Sequence, residues 1–262
     1  MVDSVSTATE RRITLQVQGR VARVALRKPP LNVIDIPMME ELAEALAGIE
    51  RRHDVAVIVV SGEGNGFSAG VNVADHTADK VESMLQKFHA VIRALIATKK
   101  VTIAAVRGNC LGGGAELAMV CDMVYTTASA KWGFPEIKLG CFPPVACTAL
   151  SALIGQKRAA ELILTGRTIS GADAANIGLA TQAFNEEQLT PAVESTASAL
   201  AGLSPAALGM AKKAVYAWDS MHFDKGLARA EKLYLEELIT TRDAQEGIRA
   251  FMEKRQARWE GK

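Results

Sequence analysis

Two short apolar runs, each ending in a glycine-rich loop, constrain this chain more than any other feature. Residues 55–60 (VAVIVV) and 101–106 (VTIAAV) are rich in β-branched side chains and show no polar alternation. Such runs read as strands buried on both faces, as in a parallel sheet covered by helices. The first runs into Gly62-Glu63-Gly64-Asn65-Gly66-Phe67-Ser68-Ala69-Gly70-Val71, the second into Gly108-Asn109-Cys110-Leu111-Gly112-Gly113-Gly114. Glycines at strand ends let the backbone approach a ligand and expose its N–H groups. A helix start behind them adds positive potential.

The remaining pattern extends this α/β reading. Residues 13–17 and 21–26 alternate around Gln18-Gly19 and predict a hairpin. Asp35 predicts a helix cap, with Pro37 in the first turn and Met38, Leu42, Ala45 and Ile49 following at helical spacing. A helix over 81–96, another over 116–120 behind the second glycine loop, and a strand over 123–127 complete the alternating half. From about residue 145 helical segments dominate: 159–164, 186–200, 205–218, 226–239 and 243–255. The expected organisation is a polar lead-in (1–12), an α/β core (13–200) and a helical C-terminal region (201–262), with no Pro/Ser/Gly-rich linker. No repeat or low-complexity tract interrupts it.

Charge and cysteine usage narrow the function. Thirty Lys and Arg against 29 Asp and Glu leave a formal charge of +1, so no global field favours nucleic acid or an anionic membrane. No run approaches 18 apolar residues, and the start (MVDSVSTATERR) has no apolar secretory core. Cys110, Cys121, Cys141 and Cys147 lack metal-ligand spacing and read as reduced thiols of a cytoplasmic protein, with no metal site expected.

The loops admit several chemistries. Two strand-end glycine loops can aim two N–H donors at one oxygen, the requirement of an oxyanion hole. No Walker lysine follows either loop, and the residues after Gly66 do not open a helix as a dinucleotide fingerprint needs. Gly66-Phe67-Ser68-Ala69-Gly70 also fits the GxSxG of serine hydrolases, with Asp173 and His222 in suitable chain order. A nucleophile elbow needs more sheet upstream than one hairpin and one buried strand. His53 and His89 read as helix-face residues and His76 as a loop residue. Glu116, three residues after Gly113, and Glu136, after Pro135, each read singly as first-turn helix acids. Facing one pocket, such a pair divides into one protonated acid and one ionised base, which suits addition of water to a double bond.

Three motifs in this order resemble the enoyl-CoA hydratase/isomerase (crotonase) superfamily, over nearly the whole chain from Ile13. They are Phe67-Ser68-Ala69-Gly70-Val71, then Gly108-Asn109-Cys110-Leu111-Gly112-Gly113-Gly114-Ala115-Glu116-Leu117-Ala118, then Phe134-Pro135-Glu136-Ile137-Lys138-Leu139-Gly140. The resemblance implies a spiral of ββα units followed by a helical trimerisation region, in a homotrimer or dimer of trimers. It implies amide donors at Val71 and Gly113 for a thioester oxygen, with Glu116 and Glu136 as the catalytic acids of hydratases. It implies coenzyme A as part of the substrate, with no separate cofactor. Pro30, Leu31, Ala69, Asn72, Val73 and Pro144 would line the CoA and acyl path, and Phe251 and Lys254 would close it, across a subunit contact in some arrangements. Pro144 stands where some isomerases and dehalogenases carry aspartate. Asn72 replaces a common aspartate, and Cys141-Phe142-Pro143-Pro144-Val145-Ala146-Cys147 replaces a glycine-rich run beside the acyl pocket. The double proline, with Leu31-Asn32-Val33-Ile34-Asp35-Ile36-Pro37, resembles the cyclohexa-1,5-diene-1-carbonyl-CoA hydratase branch. An isomerase or acyl-CoA hydrolase of the same fold, or an RNA-binding relative, remains as an alternative.

Overall fold

A computed structural model describes residues 11–216 and 220–260. Residues 1–10 of the expected lead-in, and Trp218 at the end of one expected helix, lie outside the described residues. The chain opens with the hairpin β1 (Ile13–Gln18) and β2 (Val21–Leu26). Helix α1 (Ile36–Glu50) starts where Asp35 accepts the Met38 N–H at 3.1 Å. Strand β3 (Val57–Gly62) starts two residues later than its apolar run, because residues 55 and 56 are spent entering the sheet. Then come α2 (Val81–Ala97), β4 (Val101–Val106), β5 (Asn109–Leu111), α3 (Gly113–Met119), β6 (Met123–Thr127) and β7 (Lys131–Gly133). Helices α4 (Pro144–Ile154) and α5 (Gln156–Thr165) lead to β8 (Thr168–Ser170), α6 (Gly171–Asn176), β9 (Gln182–Phe184) and α7 (Glu186–Ala201). The chain finishes with α8 (Pro205–Tyr216), α9 (Ser220–Lys232) and α10 (Arg242–Met252). A π-helical turn, Leu233–Leu238, extends α9, where a single uninterrupted helix over 226–239 is expected from sequence.

A large sheet runs β1-β2-β3-β4-β6-β9, parallel throughout except for the hairpin. A small sheet runs β5-β7-β8. Twice the chain lays one strand in the large sheet and the next in the small one (β4 then β5, β6 then β7), so the architecture is the expected mixed α/β spiral. The burial of β3 shows why its sequence lacks alternation. Ile58 and Val60 join the main core with α1 and α2, while Val57 and Val59 face Leu189 and Val193 of α7. Both faces exclude water, so both need apolar side chains. Among the described residues no helix is long and apolar enough to cross a membrane.

Candidate active site

The sheet delivers both glycine loops to one place. A Cβ built on Gly113 would lie 2.5 Å from Val71 Cγ2 and 3.5 Å from the Val71 nitrogen, so only glycine permits this approach. A bridge between Ile34 and Val71 sets the direction of the Val71 amide. Its hydrogen bonds use the Gly70 carbonyl and the Asn72 N–H, both at 2.9 Å with Ile34, so the Val71 N–H faces the other way. Gly113 opens α3, where an N–H has no acceptor within its own helix. Among the described residues neither amide takes a protein acceptor. Two free donors therefore sit side by side.

Buried hydrogen bonds hold the first loop. Asn32, fully enclosed and left-handed at φ 47°, donates from Nδ2 to the carbonyls of Glu63 (2.8 Å) and Gly66 (2.9 Å). Its Oδ1 accepts the Lys28 N–H at 2.9 Å. Ser68 Oγ donates to the Asn32 carbonyl at 2.8 Å and accepts the Gly70 N–H at 3.1 Å.

Two carboxyl groups complete the arrangement. Glu116 lies one turn into α3 and is 3% exposed. Its Oε1 accepts the Ala146 N–H at 2.9 Å, at the start of α4. Pro143 and Pro144 have no N–H to offer there, so Val145 and Ala146 are the first amides of that helix able to face it. Burial pushes the Glu116 carboxyl up to about 7, with these amides pulling weakly the other way. Glu136 sits on a single 3-10 turn, Pro135–Leu139. The residue is half-buried, yet its Oε2 is sealed from solvent and has no partner among the described residues. Burial raises its pKa well above the ordinary value, and the neighbouring Glu116 charge raises it further. Both acids, Gly113 and Val71 border one cavity of about 80 Å³. Its wall continues through Phe142, Pro143, Pro144, His76, His89 and Tyr234.

The sequence profile of the enoyl-CoA hydratase/isomerase family matches residues 16–262. The chain belongs to the enoyl-CoA hydratase/isomerase family. It is similar to a cyclohexa-1,5-dienecarbonyl-CoA hydratase of Thauera aromatica, 34% identical over 251 residues, covering 96% of this chain and 97% of the relative. A probable enoyl-CoA hydratase of Rhizobium meliloti is 35% identical over 248 residues, 94% of this chain and 96% of that one. Among solved structures, an enoyl-CoA hydratase/isomerase of Xanthobacter autotrophicus Py2 superposes with a TM-score of 0.84 at 28% identity, covering 95% and 99% of the two chains.

Within this member of the enoyl-CoA hydratase/isomerase family, the residues expected at the site divide into four groups. Glu116, Glu136, Val71, Gly113, Ala69, Val73 and Pro144 meet at the cavity. Pro30 and Leu31 do not border the cavity, although the Leu31 carbonyl accepts the N–H of the bordering Ala69 at 2.9 Å and Leu31 is 48% exposed. Asn72 turns its side chain back to cap its own turn, accepting from Ala74 and donating to Asp75. Phe251 and Lys254 are exposed at the end of α10 and do not border the cavity within one chain.

The serine-hydrolase reading fails on geometry. Ser68 is fully enclosed with its hydroxyl committed to Asn32 and Gly70, Asp173 is used in the capping box of α6, and His222 is exposed on α9. His53 lies in a turn after α1 rather than on a helix face. Asn32, His89 and Tyr234, to which the sequence assigned no role at the site, matter here. Asn32 could have been suspected, since asparagine is the side chain most at ease at positive φ. Gly247 is another, for a Cβ there would fall 2.1 Å from the Leu139 carbonyl, so its absence lets α10 brace the turn that carries Glu136.

Proposed function

We propose that this chain adds water to the double bond of an α,β-unsaturated acyl-CoA thioester. One observation carries the reading: two carboxyl groups, both held above the ordinary carboxylate range by burial, border the same cavity as two unpaired amides. In this reading the thioester oxygen accepts from the Val71 and Gly113 amides. Glu116, the first of the pair to ionise, takes a proton from water as the water oxygen bonds to the β-carbon. The electron pair of the double bond moves toward the thioester oxygen, and the enolate that forms is held by the two amides. Glu136, kept protonated, then delivers its proton to the α-carbon. Loss of one such amide donor typically costs about 10²–10³ in rate. No electron leaves the substrate, so the reaction calls for no redox partner.

Coenzyme A belongs to the substrate in this proposal, its pantetheine running past Ala69, Val73, Pro30 and Leu31. Asn72, with its N–H on Ile34 and its side chain capping its own turn, would border this path by packing alone. Phe251 and Lys254 would serve the CoA of a neighbouring subunit in a homotrimer or dimer of trimers. The near-zero net charge favours neither a nucleic-acid nor a membrane partner, and the reading places the chain in the cytoplasm. The similarity to the Thauera protein, together with the double proline at the cavity wall, supports a cyclic dienoyl group as one acyl substrate.

A substrate panel tests the reading. Crotonyl-CoA, a branched enoyl-CoA and cyclohexa-1,5-diene-1-carbonyl-CoA are followed by loss of conjugated absorbance. Formation of a hydroxyacyl-CoA with the thioester intact is expected. Release of free thiol would mean a hydrolase, and a migrated double bond an isomerase.

A further inference from the structure

Two residues that line the cavity each hold a buried polar atom with no hydrogen-bond partner among the described residues. His89 lies on α2 and is fully enclosed. Its Nδ1 stands 2.6 Å from Glu231 Oε1 on α9, and Arg93 donates to the same oxygen at 3.0 Å. A carboxylate only accepts, so Nδ1 carries the proton and Nε2 presents a lone pair. Burial lowers the His89 pKa, which keeps the ring neutral and Nε2 an acceptor. Nε2 is buried without a partner.

Tyr234 stands three residues after Glu231 on the same helical arm, in the π-helical turn, and is 1% exposed. Its hydroxyl is buried and has no geometric hydrogen-bond partner among the described residues, the Cys141 thiol beside it being only a weak one. The nearby Cys141 thiol is directed at the Leu139 carbonyl (3.7 Å), and Phe142 packs edge-on against the phenol ring at 5.2 Å. One face of this arm thus contributes Tyr234 to the cavity and, through Glu231, sets the orientation of His89. Short π-helical turns recur at functional sites, because the extra residue re-aims a side chain.

An all-hydrocarbon acyl chain packed against them would leave both buried atoms unpaired, which is costly. A hydroxyl can both donate to an imidazole lone pair and accept from a phenol. We propose that His89 Nε2 and the Tyr234 hydroxyl form a polar end to the acyl compartment, and that this compartment takes acyl groups bearing a hydroxyl beyond the reacting double bond. The inference rests on the hydratase reading for the thioester end. It adds a specificity element for the far end, with Glu231 as the residue that positions His89.

Saturated thioesters separate the two readings, because they bind but cannot be hydrated. Binding of hexanoyl-CoA is compared by calorimetry with derivatives carrying a hydroxyl on the fourth, fifth or sixth carbon. At least one hydroxylated ester is expected to bind about tenfold tighter than hexanoyl-CoA. That ratio should fall toward one in Tyr234→Phe and in His89→Leu. The phenylalanine variant keeps the ring packing, so it remains informative if the leucine variant does not fold. Equal or weaker binding of every hydroxylated ester overturns the proposal, as does a ratio that survives in Tyr234→Phe. Turnover of hex-2-enoyl-CoA, of its hydroxylated counterparts and of cyclohexa-1,5-diene-1-carbonyl-CoA by the unaltered protein is measured alongside. Hydration without the binding preference removes the polar end alone, and the preference without hydration removes the hydratase reading alone.

Discussion

Glu136 packs against the bare backbone of Gly112: a Cβ on that glycine would stand 2.5 Å from Glu136 Oε1. Gly112 also adopts φ 52° and ψ −129°, a region closed to side-chain-bearing residues. The position therefore couples α3, which carries Glu116, to the turn that carries Glu136. Gly112→Ala should displace the Glu136 carboxyl and cost about 10²-fold or more in kcat, with about 1–3 kcal/mol of stability lost to strain. Steady-state kinetics with an enoyl-CoA and a thermal melt measure the two effects. Near-normal turnover in this variant would show that the Glu136 carboxyl need not be held there.

The two acids predict a bell-shaped pH profile. Catalysis in this scheme needs Glu116 ionised and Glu136 protonated. The Glu116 carboxyl is pushed up to about 7, so kcat/KM should rise with pH and level off above about 7. Glu136 lies well above the ordinary range, so activity should fall again on the alkaline side. Glu116→Gln and Glu136→Gln should each lower kcat by about 10³-fold or more while binding of a saturated acyl-CoA stays within several-fold. A kcat/KM already at its plateau at pH 5 would contradict the raised Glu116.

The same shift should appear in folding stability. An ordinary glutamate ionises near 4.5, whereas folded Glu116 holds its proton to about 7. The folded state thus binds more protons than the unfolded state between these values. The stabilisation is full below about pH 4.5 and is lost as pH rises toward 7, reaching about 3 kcal/mol in total. Glu136 adds a slope of the same sign. Glu116→Gln should flatten this part of the curve and gain on the unaltered protein at pH 8 relative to pH 4.5. Denaturant midpoints at the two pH values give the comparison.

Much of this was readable in the residues, for identifiable reasons. Strand β4 starts and ends where its apolar run does, because burial on both faces leaves an unbroken signal, and β2 spans the alternating run that predicts the second hairpin strand. The Asp35 cap with Pro37 fixed the start of α1 for the same kind of local reason. The small sheet was missed: β5, β7 and β8 are three residues each, too short for a period-two pattern to emerge. Glu116 and Glu136 were legible only as a pair embedded in spaced glycines, since each alone resembles a first-turn helix acid. The polar wall at His89 was not legible at all. Its partner Glu231 lies 142 residues away, and the contact exists only once α9 folds back over α2.

Asn32 offers the sharpest separation of side-chain bonding from backbone strain. Its amide group ties residue 28 to the carbonyls of Glu63 and Gly66, while its own carbonyl accepts from Ser68. The loop carrying the Val71 amide depends on these bonds, because Ser68 in turn holds the Gly70 N–H. Asn32→Ala removes the bonds and also forces a left-handed φ of 47° on alanine, so it should cost about 3–4 kcal/mol. Asn32→Gly keeps the φ at ease and isolates the bonds, and should still cost about 2–3 kcal/mol. In both variants kcat should fall while Glu116 and Glu136 are untouched, because the Val71 donor loses its support. Urea midpoints and enoyl-CoA turnover on the three proteins decide it. A glycine variant as stable and as active as the unaltered chain would mean that the loop holds its amide in place without the Asn32 side chain.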